Sequence, residues 1–365
     1  MIFKTIVFNN IKEKDASQGE INLRQECDFI LTCLILIYCL FFIPYASGHS
    51  PLISGDTSNL DEAMFIPDPT KSWAIYGELH EGREAHYYRF EIKKGQRIYI
   101  SLMKPTSTEY EGFMPGFVLM GPGLETRGNI PEYVEKSVSE NAIVVTGMQP
   151  AEATYEPFAP SSFYQLAELN IPAPESGTYH IAVFEPFQGG HYSLAIGQRE
   201  TFTLIEWILI PISLISIYQW EGQSLIMIFL PVAVITALGL IFLLKKNWIP
   251  KTLFEWTGII GGFLFIGTGF LVIFQMALAV FRTSMVQEAA VTILFAIIPI
   301  ILGIWIIRII MHNSEKIDAR KRAYLAILGI FALFAWAGFL VGPVLAVLAS
   351  IIPVRKKEQN KNHLI

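Results

Sequence analysis

Cysteine is scarce and confined. The 365-residue chain has three, Cys27, Cys33 and Cys39, all in or beside the first apolar run. None falls between 49 and 365, which excludes a disulfide framework and a cysteine-ligated metal site from that stretch. No N-x-S/T acceptor occurs, so N-glycosylation is not indicated. No HxH or HExxH zinc pattern, nucleophile elbow, P-loop or dinucleotide fingerprint is present, and no catalytic residue is expected. Charge is also thin: 16% of residues are Asp, Glu, Lys or Arg, against 52% hydrophobic. That is too apolar for one soluble globule, and it points to a membrane protein with a separate polar domain.

The net charge of -5 hides an asymmetry. From His49 to Thr201 there are 10 basic and 20 acidic residues; from Phe202 onward there are 13 and 7. An acidic domain joined to a basic apolar one argues against nucleic acid, whose phosphates need a basic surface. It permits cations or basic partners, although a solvated acidic surface is the plainer reading.

The polar domain is organised around Tyr76–Leu102. Tyr88, Phe90 and Ile92 alternate with Tyr87, Arg89 and Glu91; Ile98, Ile100 and Leu102 alternate with Arg97, Tyr99 and Ser101. A period of two across Lys93-Lys94-Gly95 predicts a hairpin of an antiparallel sheet with one wet face. Further strands are expected at Phe117–Met120, Ala142–Thr146, Tyr164–Leu169, Thr178–Phe184 and His191–Ile196, with 124–170 as an elaborated loop region. Six to nine short strands with turn signals imply a β-sandwich. A domain of this size buries enough core without disulfides.

Four blocks, Gly77–Leu102, Phe117–Gly123, Ala173–Val183 and Gly189–Ile196, together resemble the bacterial pre-peptidase C-terminal domain. The resemblance covers under half of the chain, and its motifs are strand, turn, strand. It implies a jelly-roll-like all-β sandwich of the kind appended to secreted enzymes and surface proteins, with binding or accessory roles. The segment 124–170 departs from that pattern, and no peptidase precedes the domain.

Several residues are candidates for binding. Glu156-Pro157-Phe158 and Glu185-Pro186-Phe187 form a local quasi-repeat, each entering a strand that carries an aromatic pair, at Tyr164 and at His191. If those strands are neighbours, Phe158 and Phe187 share a rim suited to a glycan face or a partner surface; turn chemistry with core tyrosines is the alternative. His80, His86, His180 and His191 read as surface histidines. Asp56, Asp61, Glu62 and Asp68 lack EF-hand spacing, leaving calcium as an alternative to a solvated lead-in.

Phe29–Tyr45 has the length of a signal-peptide core, with Ala46-Ser47-Gly48 as a cleavage site, or it is an uncleaved anchor. Cleavage after Gly48 exposes His49, whose amine and imidazole together suit copper. One position either way removes that metal site.

Four apolar runs, Ser224–Leu244, Leu253–Phe281, Ala289–Met311 and Tyr324–Pro353, are each long enough to span a bilayer. Phe202–Tyr218 is short, contains Glu206 and Pro211, and is flanked by Trp207 and Trp220, so it either lies in the interface or spans. The last run is read as one span, or as a hairpin bent at Gly342-Pro343 that returns the basic tail inside. Gly258 and Gly262 form a GxxxG for close helix packing. Few ionisable residues lie in the runs, which disfavours a transporter or channel.

The expected protein is a multi-pass plasma-membrane protein with its sandwich on the outer face. It would bind or scaffold an envelope protein or a glycan without catalysis, or serve as an accessory subunit of a larger membrane complex.

Overall fold

A computed structural model of the chain describes residues 49–53, 55, 57–107, 111–136, 141–283, 287–312 and 319–353. The predicted signal segment, Asp56 and the basic tail lie outside these.

Among the described residues, eleven strands form two sheets. In chain order they are β1 Ser50–Ile53, β2 Met64–Ile66, β3 Trp73–Glu81, β4 Glu84–Ile92, β5 Arg97–Pro105, β6 Gly116–Gly121, β7 Asn141–Val145, β8 Thr154–Glu156, β9 Ser161–Pro172, β10 Gly177–Glu185 and β11 Gln188–Ile196. One sheet runs β1-β3-β11-β5-β9-β8 and the other β2-β4-β10-β6-β7. Each is mixed: β1 joins β3 and β2 joins β4 in parallel, and the remaining pairs are antiparallel. The two inner faces bury Ile75, Leu79, Tyr88, Phe90, Ile98, Ile100, Leu102, Leu119, Tyr179, Ile181, Leu194 and their neighbours. This is the β-sandwich that the alternation implied.

The expected hairpin is not one. β4 lies in the five-stranded sheet and β5 in the six-stranded sheet, so the Lys93–Gln96 turn arches from one layer to the other. The links β3–β4 and β10–β11 also cross layers. Alternation is identical in the two cases, because strands joined by an arch also turn one side chain in two toward the core. A period of two therefore identifies strands without naming their partners.

Neither sheet has a wholly wet outer face. Over the five-stranded sheet, Tyr87, Val118, Met120, Ala182 and Phe184 form a second apolar layer with Ala63 and Val134. The loop after β6 is pinned there by Glu135, whose N–H donates to Tyr87 Oη at 2.7 Å. On the six-stranded sheet, Ala74, Ser101, Ser193 and Ala195 are buried.

Six helices follow: α1 Leu204–Trp220, α2 Leu225–Lys245, α3 Leu253–Arg282, α4 Ala289–Met311, α5 Ala319–Phe334 and α6 Val341–Ile351. α2, α3 and α4 are long and apolar enough to cross a membrane. The fourth expected span is instead a helical hairpin. The chain breaks at 335–340, where Trp336, Gly338 and Phe339 take positive φ, and α6 returns along α5. Arg322 Nη1 donates to Ser350 O at 2.8 Å and Ile352 O at 2.9 Å, tying the end of α6 to the start of α5. Gly342-Pro343 sits in the first turn of α6, a position proline tolerates, not at the bend.

Gly258 and Gly262 lie against α4. A Cβ on Gly258 would meet Ile310 Cδ1 at 2.5 Å, and one on Gly262 would meet Ile307 Cγ1 at 2.6 Å and Gly303 O at 3.0 Å. Small residues here let the two backbones approach.

Candidate functional site at the junction of sandwich and helices

α1 covers the outer face of the six-stranded sheet and is fixed to the sandwich at both ends. Thr203 and Glu206 make a reciprocal capping box at its N-terminus. Lys71 Nζ, 4.0 Å from the Trp73 ring centroid, donates to Glu206 Oε1 at 2.6 Å. Burial pushes the Glu206 carboxyl up, but hydrogen bonds from Lys71 and Thr203 outweigh it and hold the carboxyl below its ordinary range. At the other end, Trp220 Nε1 donates to Gly77 O at 3.0 Å. The Trp220 ring stacks on His191 and meets Tyr76 edge-on at 5.0 Å.

Pro211 explains how the helices hold α1 from the other side. Proline has no N–H, so the carbonyl four residues earlier, on Trp207, loses its helical donor. Trp336 Nε1 supplies one at 2.9 Å. In return Trp207 Nε1 donates at 3.0 Å to Phe334 O, one of the carbonyls orphaned where α5 ends. The two indoles lie 4.8 Å apart. Phe158 plugs this clasp, with its ring 4.9 Å from Trp336, 5.7 Å from Phe295 and 5.9 Å from Trp207. Beside it Tyr155 Oη pairs with Thr292 Oγ1 at 2.7 Å, and Thr292 Oγ1 donates to Pro157 O at 2.8 Å.

Under α1 lies a cavity of about 80 Å³, room for several waters or one small organic group. Ile210, Ser213, Leu214 and Ile217 line it from one helical face, at spacings of three and four. Ala74, Tyr76, Met103 and Ser193 line it from the sheet, and the β8–β9 turn adds Glu156, Phe158 and Ser161. Glu221, the C-cap of α1, closes one end. Burial raises the Glu156 carboxyl to about 7, against backbone hydrogen bonds from Phe158 and Ala159. Burial raises the Glu221 carboxyl to about 8, opposed by Ser161, Arg282 and Gln223. The Tyr76 phenol is pushed up by burial and by the charges of both glutamates. Such a site can take up a proton or a cation near neutral pH.

The residues singled out from sequence fall in different places. Phe158 is buried in the clasp, whereas Phe187 is 87% exposed. β9 and β11 are separated by β5, so the two rings share no rim. Tyr164, half-buried, lies 5.8 Å from Lys104 Nζ. His191 faces α1: its Nδ1 bonds the Trp220 carbonyl and its Nε2 is 3.2 Å from Glu78. His86 is buried, not on the surface, bonding Tyr192 Oη at 2.9 Å and Glu84 Oε1 at 3.0 Å. His80 is exposed and His180 half-buried.

Asp68 is engaged by Thr70 and by Arg199 at 2.6 Å, so of the four acids in that segment it already has a cation. Asp61 and Glu62 are exposed. The chain before His49, on which the copper site depends, is outside the described residues; His49 Nδ1 lies 2.5 Å from Ser72 Oγ. Among the described residues no three His, Cys, Asp or Glu side chains gather for a metal.

The cavity was missed because Glu156 read as a turn residue and nothing in the local sequence singles out Glu221. Only the placement of α1 across the sheet brings them together.

No protein-family model matches the chain, and no curated protein does. Among solved structures it is similar to the pre-peptidase C-terminal domain of a collagenase from Bacillus anthracis, with 19% identity over 36% of this chain and 91% of that one. The TM-score is 0.21, so the fold assignment rests on the strand order and register given above.

Proposed function

We propose that this is a multi-pass membrane protein that presents its β-sandwich on the outer face in a fixed orientation, where it binds or scaffolds another envelope component without catalysis. The observation that carries this reading is the two-sided attachment of α1. One side of the helix is bonded to Lys71, β3 and β11, and the other to the α5–α6 hairpin. A head on a flexible tether needs no such attachment. The orientation is supported by charge. Lys245, Lys246 and Lys251 join α2 to α3, and Arg320, Lys321 and Arg322 begin α5, all at the ends remote from the sandwich. Arg282 stands near the sandwich end. Basic residues favour the inner side, and the hairpin leaves the chain on that side at Ile352.

A second reading, an accessory subunit of a larger complex, is favoured by α2. Only Ile228, Val232 and Leu243 of that helix are buried, and Phe229, Leu230, Val234, Leu238, Ile241 and Phe242 face outward. Lipid or a partner helix would cover them equally well.

Purification from native membranes in mild detergent, with co-purifying proteins identified by mass spectrometry, tests both. A stoichiometric soluble or anchored envelope partner that also binds the protein after repurification supports the first. A stoichiometric multi-span partner lost when α2 is made polar supports the second. Recovery alone, with no glycan bound by the intact protein, contradicts both.

A further inference from the structure

The cavity under α1 encloses two carboxylates without providing a cation for them. Among the described residues neither Glu156 nor Glu221 forms an ion pair with Lys or Arg. Arg282 favours the Glu221 charge without reaching ion-pair distance, and Glu200 opposes the Glu156 charge. Both carboxyls are half-buried beneath α1, and a carboxylate drawn out of water without a counter-ion is costly, which favours a proton or a cation there.

Ser193 gives an independent sign of a ligand. It is 4% exposed, lines the cavity from β11, and its Oγ has no hydrogen-bond partner among the described residues. A buried hydroxyl left unmatched costs free energy unless something in the cavity bonds it. Tyr76 and Trp220, edge to face, make an aromatic corner between the two acids. Carboxylates with aromatic faces suit an alkylated nitrogen cation, whereas among the described residues no third acid or histidine joins them in a ligand cluster of the kind a metal needs.

We propose that this cavity binds a small organic ammonium cation, held by the carboxylates of Glu156 and Glu221 and the hydroxyl of Ser193 against the rings of Tyr76 and Trp220. The proposal goes beyond the scaffold reading and needs only the seating of α1, not a protein partner. A free amine and a lipid headgroup share this chemistry. An adjacent apolar cavity of about 50 Å³, bounded by Phe158 and Leu214 in common with the first and by Leu271 and Pro299, would receive the start of an acyl chain.

Binding has a defined pH sign. The cation requires ionised carboxylates, so affinity rises with pH through about 7 and about 8. The other ionisable groups around them are His49 before β1, Tyr76 on β3, Tyr155 on β8, Glu200 before α1, Tyr218 on α1 and Arg282 at the end of α3. Burial lowers the His49 pKa, so that imidazole loses its charge at lower pH than the two carboxyls gain theirs.

The test uses the full chain, purified in detergent and stripped of lipid. Tetramethylammonium, whose charge does not titrate, and ethanolamine are titrated by calorimetry and by Trp fluorescence. Saturable binding is expected at pH 8.5 and about thirtyfold weaker at pH 6. E156Q and E221Q should each weaken it about tenfold at pH 8.5, and S193A several-fold; neutral tert-butanol should not bind. Competition by phosphatidylethanolamine nanodiscs but not phosphatidylglycerol ones assigns a lipid headgroup, and competition by neither assigns a free amine. Absence of saturable binding of both probes at pH 8.5 overturns the proposal. So does binding indifferent to both glutamate variants, or, should either of these fail to fold, to S193A. A scaffold partner found or absent in the co-purification leaves these outcomes unaffected.

Discussion

Glu156-Pro157-Phe158 and Glu185-Pro186-Phe187 share a sequence and an internal bond but not surroundings. In each, the glutamate carboxylate accepts the N–H groups two and three residues on, the first of them at 3.0 Å in one turn and 2.6 Å in the other. Yet Phe158 is 8% exposed and Phe187 is 87% exposed. The first turn meets α1, α4 and the hairpin tip, while the second stands against Gly82 of the neighbouring arch. Local sequence determines the turn, and the elements that arrive later in the chain determine whether its aromatic ring is a plug or a free tip.

The largest expected effect comes from removing the plug. Phe158→Ala should destabilise the seated sandwich by about 3–5 kcal/mol, read as lost thermal stability and new proteolytic cleavage around 154–163. Phe187→Ala should stay within about 0.5 kcal/mol. Equal effects would break the comparison.

The socket is the next target. Trp336→Phe leaves the Trp207 carbonyl without its indole donor, at a cost of about 1–3 kcal/mol. Adding Pro211→Ala to that variant restores a helical N–H to the same carbonyl and should recover part of the loss in thermal unfolding. The absence of any recovery would mean the indole acts through packing alone.

A smaller effect separates the two glutamates of the cavity from an ordinary turn acid. Both Glu156 and Glu221 titrate above the usual carboxylate range. The folded state therefore holds protons that the unfolded chain releases. Their contribution to stability is complete below the unfolded pKa and is lost as pH rises through about 7 and about 8. Without an added cation, melting temperature should fall by a few degrees from pH 5.5 to pH 8.5, and Glu221→Gln should flatten that slope. A slope of opposite sign, or one unchanged in Glu221→Gln, would contradict the burial of these groups.

What was legible in the sequence follows from how local each signal is. The inner residues of the sandwich showed because Ile98, Ile100 and Leu102 alternate with polar neighbours. The arches were not visible, since strand pairing is decided by residues far apart: β4 pairs with β10, and β5 with β9 and β11. The break in the last apolar run was hidden as well, because Trp336 and Phe339 are not residues that advertise positive φ. Its position follows from tertiary contacts, Trp336 with Trp207 and Gly338 with Phe265. The cavity is the least local feature of all, drawing Ser193, Glu156 and Glu221 from three separate elements.

Through α1 and Phe158, sandwich and helices should move as one rigid unit. Spin labels at Phe187 and at Lys251, in a chain with Cys27, Cys33 and Cys39 replaced, report it directly through their dipolar distance distribution. A single narrow distribution that broadens in Phe158→Ala is the predicted result. A broad distribution already present in the otherwise unaltered chain and unchanged by Phe158→Ala would contradict the claim.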